Sequence, residues 1–236
     1  MRVLCVVMAV AALVLAAYAF FVAGQIGDVR AETEAYETRY MECSEAVNEL
    51  QIASDYLTTQ VRMFVVTGDK KRLDNYLDEL YVSNNRNKAV EKLKNSFSQD
   101  QAASAELEAA LADSNDLARD ELHAMRLAVD AYGIKKVSDK ITSEQLKADE
   151  QDMSANQKLE EARSLVLGKS YDKTKNTIQK SVKASSEALL TETNADFQRG
   201  TDALNNLLLH LRIVIALLFC IIVLLVVVVT RQALRR

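Results

Sequence analysis

The chain has 236 residues, no proline and only six glycines, so the usual breakers of long helices are nearly absent. Residues 25–210 hold all 33 acidic side chains but only 24 of the 29 lysines and arginines, an excess of nine negative charges. Such a segment repels nucleic acid, and we therefore expect no nucleic-acid partner.

Two uncharged apolar runs, residues 3–23 and 213–229, lie near the two ends of the chain. Each approaches the ~20 residues with which a helix crosses a bilayer. The basic residues at their outer ends predict that both termini are cytoplasmic and that the acidic middle is extracytoplasmic. The alternative for the first run is a cleaved signal peptide, with Ala17, Tyr18 and Ala19 as its cleavage site. The run continues past that site, which favours a retained anchor.

These features predict a two-pass protein of the cell membrane in four segments, with membrane lipid as a partner. Residues 1–27 are the first transmembrane helix with a short cytoplasmic start, and residues 28–208 are an extracytoplasmic domain. Residues 209–230 are the second transmembrane helix, and residues 231–236 are a short basic cytoplasmic tail.

The first helix is predicted to continue from the membrane span to about Thr67. Beyond the span, residues recur at alternating steps of four and three, which is typical of a packed helix. This seam comprises Val29, Thr33, Tyr36, Tyr40, Cys43, Val47, Leu50, Ser54, Leu57, Val61 and Phe64. Thr67, Gly68 and Asp69 then form a predicted turn, in which Gly68 adopts the left-handed conformation and Asp69 caps the next helix.

Three further long helices are predicted. The second covers about residues 70–97, with an apolar face that ends in Phe97 and a polar run at residues 83–87 that interrupts it. The third covers residues 101–132 and ends at Gly133, and its stripe comprises Leu107, Leu111, Ser114, Ala118, Met125, Val129 and Tyr132.

Residues 134–153 are predicted to form a loop around a short helical turn, followed by a short helix at residues 155–167 capped by Ser154. The last helix starts near Tyr171 and continues into the second span. The predicted fold is therefore all-α: an antiparallel up-down four-helix bundle whose first and last helices continue into two transmembrane helices.

The junction between the first two helices resembles a known family. The residues that carry this resemblance are Arg62, Phe64, Thr67, Gly68 and Asp69, followed by Leu73, Tyr76 and Glu79. They resemble the four-helix-bundle input domains of bacterial chemoreceptors, sensor histidine kinases and membrane diguanylate cyclases, of which a related form is called CHASE3. Residues 162–178 carry a matching Leu-x-Leu-Gly and Tyr-x-x-x-Lys pattern.

The resemblance implies an extracytoplasmic sensor module for transmembrane signal transduction that acts as a homodimer. In that family a HAMP linker and an output module follow the second span, whereas here seven residues, 230–236, follow the second apolar run. We therefore expect a module without its own output domain, read by a separate cytoplasmic protein. The alternatives are a scaffolding membrane protein whose helical ectodomain binds a protein partner, and a transport or secretion accessory with the helices as spacer.

No enzyme, metal or cofactor is expected. His123 and His210 are the only histidines, no ligand set has metal-binding spacing, and the glycines are too isolated for a phosphate-binding loop. Cys43 is the only cysteine outside the two spans. We weigh two roles for Cys43, a small core residue and an intermolecular disulfide across a dimer.

The predicted ligand site consists of Arg62, Asn84, Arg86 and Asn87. The two asparagines lie one helical step apart where apolar residues are expected, and arginine presents a fork suited to a carboxylate. The predicted ligand is small and polar. The alternative is that both arginines are solvated or paired with Asp78, Glu79 or Glu91 at the surface.

Overall fold

The computed structural model describes residues 2–96 and 101–234, and within these ranges it contains helices and no strand. The all-α class is therefore confirmed. The predicted positions of Phe97, Arg235 and Arg236 lie outside the described residues. The helices are α1 (Arg2–Thr67), α2 (Lys70–Asp78), a π-helical segment (Glu79–Ser83), α3 (Asn85–Ser96), α4 (Gln101–Ala131), α5 (Asp139–Thr142), α6 (Ala148–Gln151), α7 (Ala155–Leu167) and α8 (Lys169–Ala233).

The chain divides into two units. The terminal unit comprises residues 1–40 and 192–236, and the central unit comprises residues 41–191. The helices α1 and α8 each contribute to both units. Two helices of the described chain are long and apolar enough to cross a membrane by length and composition, one near the N-terminus and one that ends at Ala233.

Within the terminal unit, α1 and α8 approach each other closely at Gly200. A Cβ atom on Gly200 would lie only 2.5 Å from Oγ1 of Thr33 on α1. Thr33 is buried, and its hydroxyl donates to the carbonyl of Val29 at 2.8 Å, so this polar group is satisfied within its own helix. The missing side chain of Gly200 therefore permits the contact.

In the central unit, the turn after α1 is built from local hydrogen bonds. Gly68 has a φ of +70°, and its amide donates to the carbonyl of Phe64 at 2.8 Å. Asp69 accepts a bond from the amide of Lys71 at 3.0 Å and so caps α2. The ring of Tyr132 lies 3.1 Å from where a Cβ of Gly68 would be, so a larger residue would be strained there by both conformation and contact.

The predicted second helix is not continuous. After the π-helical segment, Asn84 has a φ of 52°, in the left-handed region that asparagine tolerates better than most residues. The carboxylate of Glu79 then accepts from the amide of Arg86 at 3.2 Å and from the side chain of Asn85 at 2.9 Å. Glu79 thus satisfies donors at the start of α3, and the chain restarts as a new helix instead of continuing the old one.

Residues 134–153 form two short helices, α5 and α6, where one helical turn is predicted. Ile141 of α5 is fully buried in the core. Ser154 caps α7 with a capping box that includes Gln157, and α8 begins at Lys169, two residues before the predicted start. The main partner of α7 is α4.

The apolar core of the central unit consists of two clusters. The first includes Leu57, Phe64, Leu73, Tyr76, Met125, Leu127, Val166 and Tyr171. The second includes Cys43, Ala46, Leu50, Ala89, Leu93, Leu107 and Leu189. Along α1, the second cluster ends at Leu50 and the first cluster begins at Leu57. The polar residues of the candidate site that lie on α1, Ser54 and Thr58, occur at or next to this gap.

Candidate functional site

A cavity of about 480 Å³ lies among α1, α3, α4 and α8 in the central unit. We call it the central cavity. Its apolar lining comprises Val47, Leu50, Ala110, Leu111, Ile178, Val182 and Leu190. Its volume falls within the ~300 to 1,000 Å³ of small-molecule sites, which are mostly apolar with a few placed polar groups. The polar groups of the lining therefore decide what it can bind.

Among the three charged residues that line the cavity, Arg86, Lys183 and Glu187, only Arg86 is buried. Only 6% of it is exposed, and its Nη2 donates to Oδ1 of Asn115 at 3.1 Å. Within the described chain no carboxylate forms an ion pair with its guanidinium. Burial lowers the pKa of Arg86, while the nearby Tyr76 and Glu121 oppose that shift. Arginine remains protonated under all ordinary conditions, so the cavity contains a fixed positive charge.

Ser186 adds a second unusual group to the cavity lining. It is 2% exposed, and its hydroxyl has no hydrogen-bond partner in the described chain. The neighbouring Ser185 hydroxyl is likewise buried without a partner among the described residues. A buried hydroxyl without a partner costs about 1–3 kcal/mol, and native proteins seldom retain one without a reason.

A polar cluster adjoins the cavity. Tyr76 of α2 and Tyr171 of α8 both donate to the carboxylate of Glu121 on α4, the first at 2.6 Å. Lys175 of α8 donates to Thr58 of α1 at 2.8 Å. A smaller cavity of about 20 Å³ is lined by both Arg86 and Glu121, and it shares Ser54 and Ser114 with the central cavity. The polar cluster therefore joins α1, α2, α4 and α8 beside the cavity.

The ionisation of this cluster is governed by burial. Burial raises the pKa of Glu121, and hydrogen bonds from Tyr171 and Tyr76 and the charges of Arg86 and Lys175 partly oppose it. Burial also raises the pKa of both tyrosines, with Glu121 adding to the effect. Both tyrosines are therefore neutral donors, and the protonated form of Glu121 is favoured more than in water.

The raised pKa of Glu121 predicts a pH dependence of stability. Between its ordinary value of 4.5 and the raised value, the folded chain binds more protons than the unfolded chain. The free energy of unfolding contributed by Glu121 therefore falls as the pH rises through this window, by at most about 1.4 kcal/mol per pH unit. Compared with Glu121→Gln, the wild type should gain stability on acidification.

Scanning calorimetry of the full chain in nanodiscs between about pH 4 and 8 measures this difference. A wild type and a Glu121→Gln variant whose unfolding temperatures change in parallel would show that Glu121 does not titrate differently in the folded state.

Of the four residues of the predicted ligand site, the central cavity is lined by Arg86 alone. Arg62 lies elsewhere: its Nε donates to the carbonyl of Val166 at 2.8 Å, it pairs with Asp172, and its guanidinium lies 4.9 Å from the ring centre of Tyr171. Arg62 thus links α1 to α7 and α8.

The two predicted asparagines do not line the central cavity. Asn84 occupies the left-handed position before α3, and Asn87 is exposed. Thr67, Gly68 and Asp69 form the turn between α1 and α2, where the hydroxyl of Thr67 accepts from the amide of Asp69 at 3.2 Å. Cys43 is 0% exposed in the second core cluster, a position from which its thiol does not reach a second copy without unpacking. Binding by the predicted set and a disulfide at Cys43 stay predictions.

Glu121, Tyr171 and Ser186 are site residues that the sequence reasoning did not single out. For Glu121 a signal was present. The predicted stripe of α4 proceeds in steps of four, three and four to Ala118 and then jumps seven to Met125, and the omitted seam position is Glu121. A carboxylate on a seam position indicates a buried partner on another helix.

No metal cluster accompanies the cavity. Residues 2–96 and 101–234 contain no group of three His, Cys, Asp or Glu side chains that could hold a metal ion. His123 instead lies between two carboxylates, with Nδ1 3.2 Å from Glu144 and Nε2 2.9 Å from Glu150. These contacts tie α4 to α6 and to the residues before it.

The fold and the cavity define a class: an all-α chain with two helices able to cross a membrane and a buried arginine in a cavity of its central unit. Comparison of the chain with protein-family models, curated proteins and solved structures finds no match.

Proposed function

We propose that this chain is a membrane-anchored extracytoplasmic sensor module for transmembrane signalling. In this proposal the central unit is an antiparallel four-helix bundle, α1 and α8 continue into the two membrane spans, and both termini are cytoplasmic. The observation that carries the proposal is the central cavity with its buried Arg86, because α1 and α8 both line it and both also contain the apolar runs.

A cavity in this position suits a sensor for a physical reason. A ligand shifts a conformational equilibrium by the difference between its affinities for the two states. The apolar lining of the cavity comes largely from the second core cluster and the residues packed against it, and the cavity leaves unfilled space beside α1 and α8. Small displacements of these helices are therefore less restricted there than in a close-packed core. A bound molecule that favours one arrangement then biases the helices that continue into the spans.

The resemblance of residues 57–79 to the input domains of chemoreceptors, sensor kinases and diguanylate cyclases supports the same proposal. In this proposal a separate cytoplasmic protein receives the signal. The acidic central segment and the basic ends support the orientation, since basic residues are enriched on the cytoplasmic side.

One observation favours the scaffold as a second candidate. Apolar side chains recur along the exposed side of α1 within the central unit, at spacings that keep them near one face. They are Met41, Ile52, Tyr56, Met63 and Val66, each at least 40% exposed. Such a stripe suits a second copy of the chain or another helical protein, and it also supports the proposed homodimer.

A ligand screen separates the two functions. The full chain in nanodiscs is heated with and without amino acids, organic acids and short peptides, and its unfolding temperature is recorded. A sensor predicts that at least one compound raises this temperature progressively with its concentration. The corresponding gain in the free energy of unfolding is about 2.7 kcal/mol at a hundred times its Kd. Stabilisation by no compound in the screen would contradict the sensor and favour the scaffold.

A further inference from the structure

We propose that the central cavity is a site for a small monocarboxylate with an aliphatic body, whose carboxylate binds the guanidinium of Arg86. This inference rests on the proposed sensor function and names the class of its ligand. Three properties of the cavity support this inference: the positive charge of Arg86, the apolar lining, and the hydrogen-bonding groups that remain available to a ligand.

The buried positive charge of Arg86 favours an anionic ligand in the cavity. Arg86 is 6% exposed and donates to Asn115, but in the described chain it has no ion pair. Glu121 offsets part of this charge but forms no hydrogen bond with the guanidinium in the described chain. A buried cation without a bonded anion is costly, and a guanidinium fork fits the two oxygens of a carboxylate. Asn115 occupies one donor of Arg86, which leaves further guanidinium donors for a ligand.

The apolar lining of the cavity favours a ligand whose remaining part is apolar and limited in size. Leu50, Leu111, Ile178 and Val182 come from three different helices and surround the same cavity of about 480 Å³. An alkyl chain of several carbons gains stability there by leaving water. The hydroxyl of Ser186, which lacks a partner in the described chain, provides a second polar contact for the carboxylate.

A second charge on the ligand is disfavoured, so an amino acid is a poorer fit. The buried carboxylate beside the cavity, Glu121, does not line it and already accepts from Tyr76 and Tyr171. The smaller cavity that Glu121 lines is only about 20 Å³ in volume. The carboxylate that does line the central cavity, Glu187, is exposed at the rim and pairs with Lys183, so an ammonium group deep in the cavity would lack a buried anion.

A route of entry exists between α1 and α8. Gln51, Lys183 and Glu187 are exposed and also line the cavity, so the cavity reaches the surface of the central unit. Lys183 lies 3.6 Å from Glu187 at this rim. These two opposite charges offset each other at the rim, so the net positive charge of the cavity lining comes from Arg86.

The test is isothermal titration of the full chain in nanodiscs with hexanoate, hexanamide and hexylamine, with empty nanodiscs as the reference for partitioning into lipid. Hexanoate should bind at least about tenfold more tightly than the neutral amide, because a hydrogen bond to a charged group is the stronger one. Hexylamine should give no saturable binding. Hexanoate that binds no better than hexanamide would overturn the proposal without any variant.

Variants locate the site. Arg86→Met should weaken hexanoate binding by about tenfold or more and leave hexanamide little changed. The matched control is Arg119→Met on α4, because Arg119 is exposed, pairs with Asp116 and does not line the cavity. Val182→Trp, which fills the cavity and keeps Arg86, should abolish binding of hexanoate and hexanamide alike. Unchanged hexanoate binding in Arg86→Met or in Val182→Trp would place the site elsewhere.

The outcomes also separate this inference from the sensor function. If another compound stabilises the chain and hexanoate does not bind, the sensor stands and the carboxylate site is wrong. If no compound of any class stabilises the chain, both proposals are wrong.

Discussion

Replacement of Glu121 by alanine is expected to lower the free energy of unfolding of the central unit by about 4 kcal/mol. The carboxylate of Glu121 accepts from Tyr76 and Tyr171 and opposes the buried charge of Arg86. Its removal leaves two buried hydroxyls without an acceptor, at about 1–3 kcal/mol each, and also leaves a buried cation less well compensated.

Thiol labelling of Cys43 measures this loss. Cys43 is 0% exposed, so it reacts only when the central unit opens. In a background of Cys5→Ala and Cys220→Ala, the labelling rate of the Glu121→Ala variant should exceed that of the parent by about three orders of magnitude. Tyr76→Phe is the control, since it removes one hydrogen bond and should cost about 1 kcal/mol. A cost for Glu121→Ala no larger than for Tyr76→Phe would contradict the cluster.

The second large effect concerns the apolar core. Phe64→Ala should lower the free energy of unfolding by about 3–5 kcal/mol, because it removes a fully buried ring from the first core cluster and leaves a cavity. The neighbouring Met63 is 41% exposed on the same helix, so Met63→Ala is a matched control with an expected effect of about 0.5 kcal/mol or less.

Thermal unfolding of both variants in nanodiscs compares them directly. Equal losses in the two variants would mean that α1 is rotated about its axis relative to the structure. A small loss for Phe64→Ala alone would mean that the first core cluster collapses to fill the space.

Local signals allowed much of the helical layout to be predicted. The end of α1 at Thr67 depends on Gly68 and Asp69, and the start of α7 depends on the cap at Ser154, so each boundary is determined by residues next to it. The break at Asn84 was not predicted as a break, because it depends on the carboxylate of Glu79, which accepts from donors six and seven residues later.

The candidate site was only partly predictable. Arg86 was singled out as a polar residue where apolar ones were expected, and it lines the central cavity. Its predicted companion Arg62 binds Val166 and Asp172 instead, because the partner of a long side chain depends on which helices pack beside it. Ser186 gave no signal in the sequence, since a single serine in a helix is ordinarily exposed or bonded to its own backbone.

The most direct test of the proposed signalling is a distance measurement at the ends of the two apolar helices. Nitroxides at Val3 on α1 and Thr230 on α8 are introduced into the full chain in nanodiscs, since both positions are exposed. The proposal predicts that the compound with the largest stabilising effect in the screen changes the distribution of distances between the two labels, and that Val182→Trp abolishes its response if the compound occupies the central cavity. A distribution that is the same with and without a compound that saturates the chain would contradict transmembrane signalling.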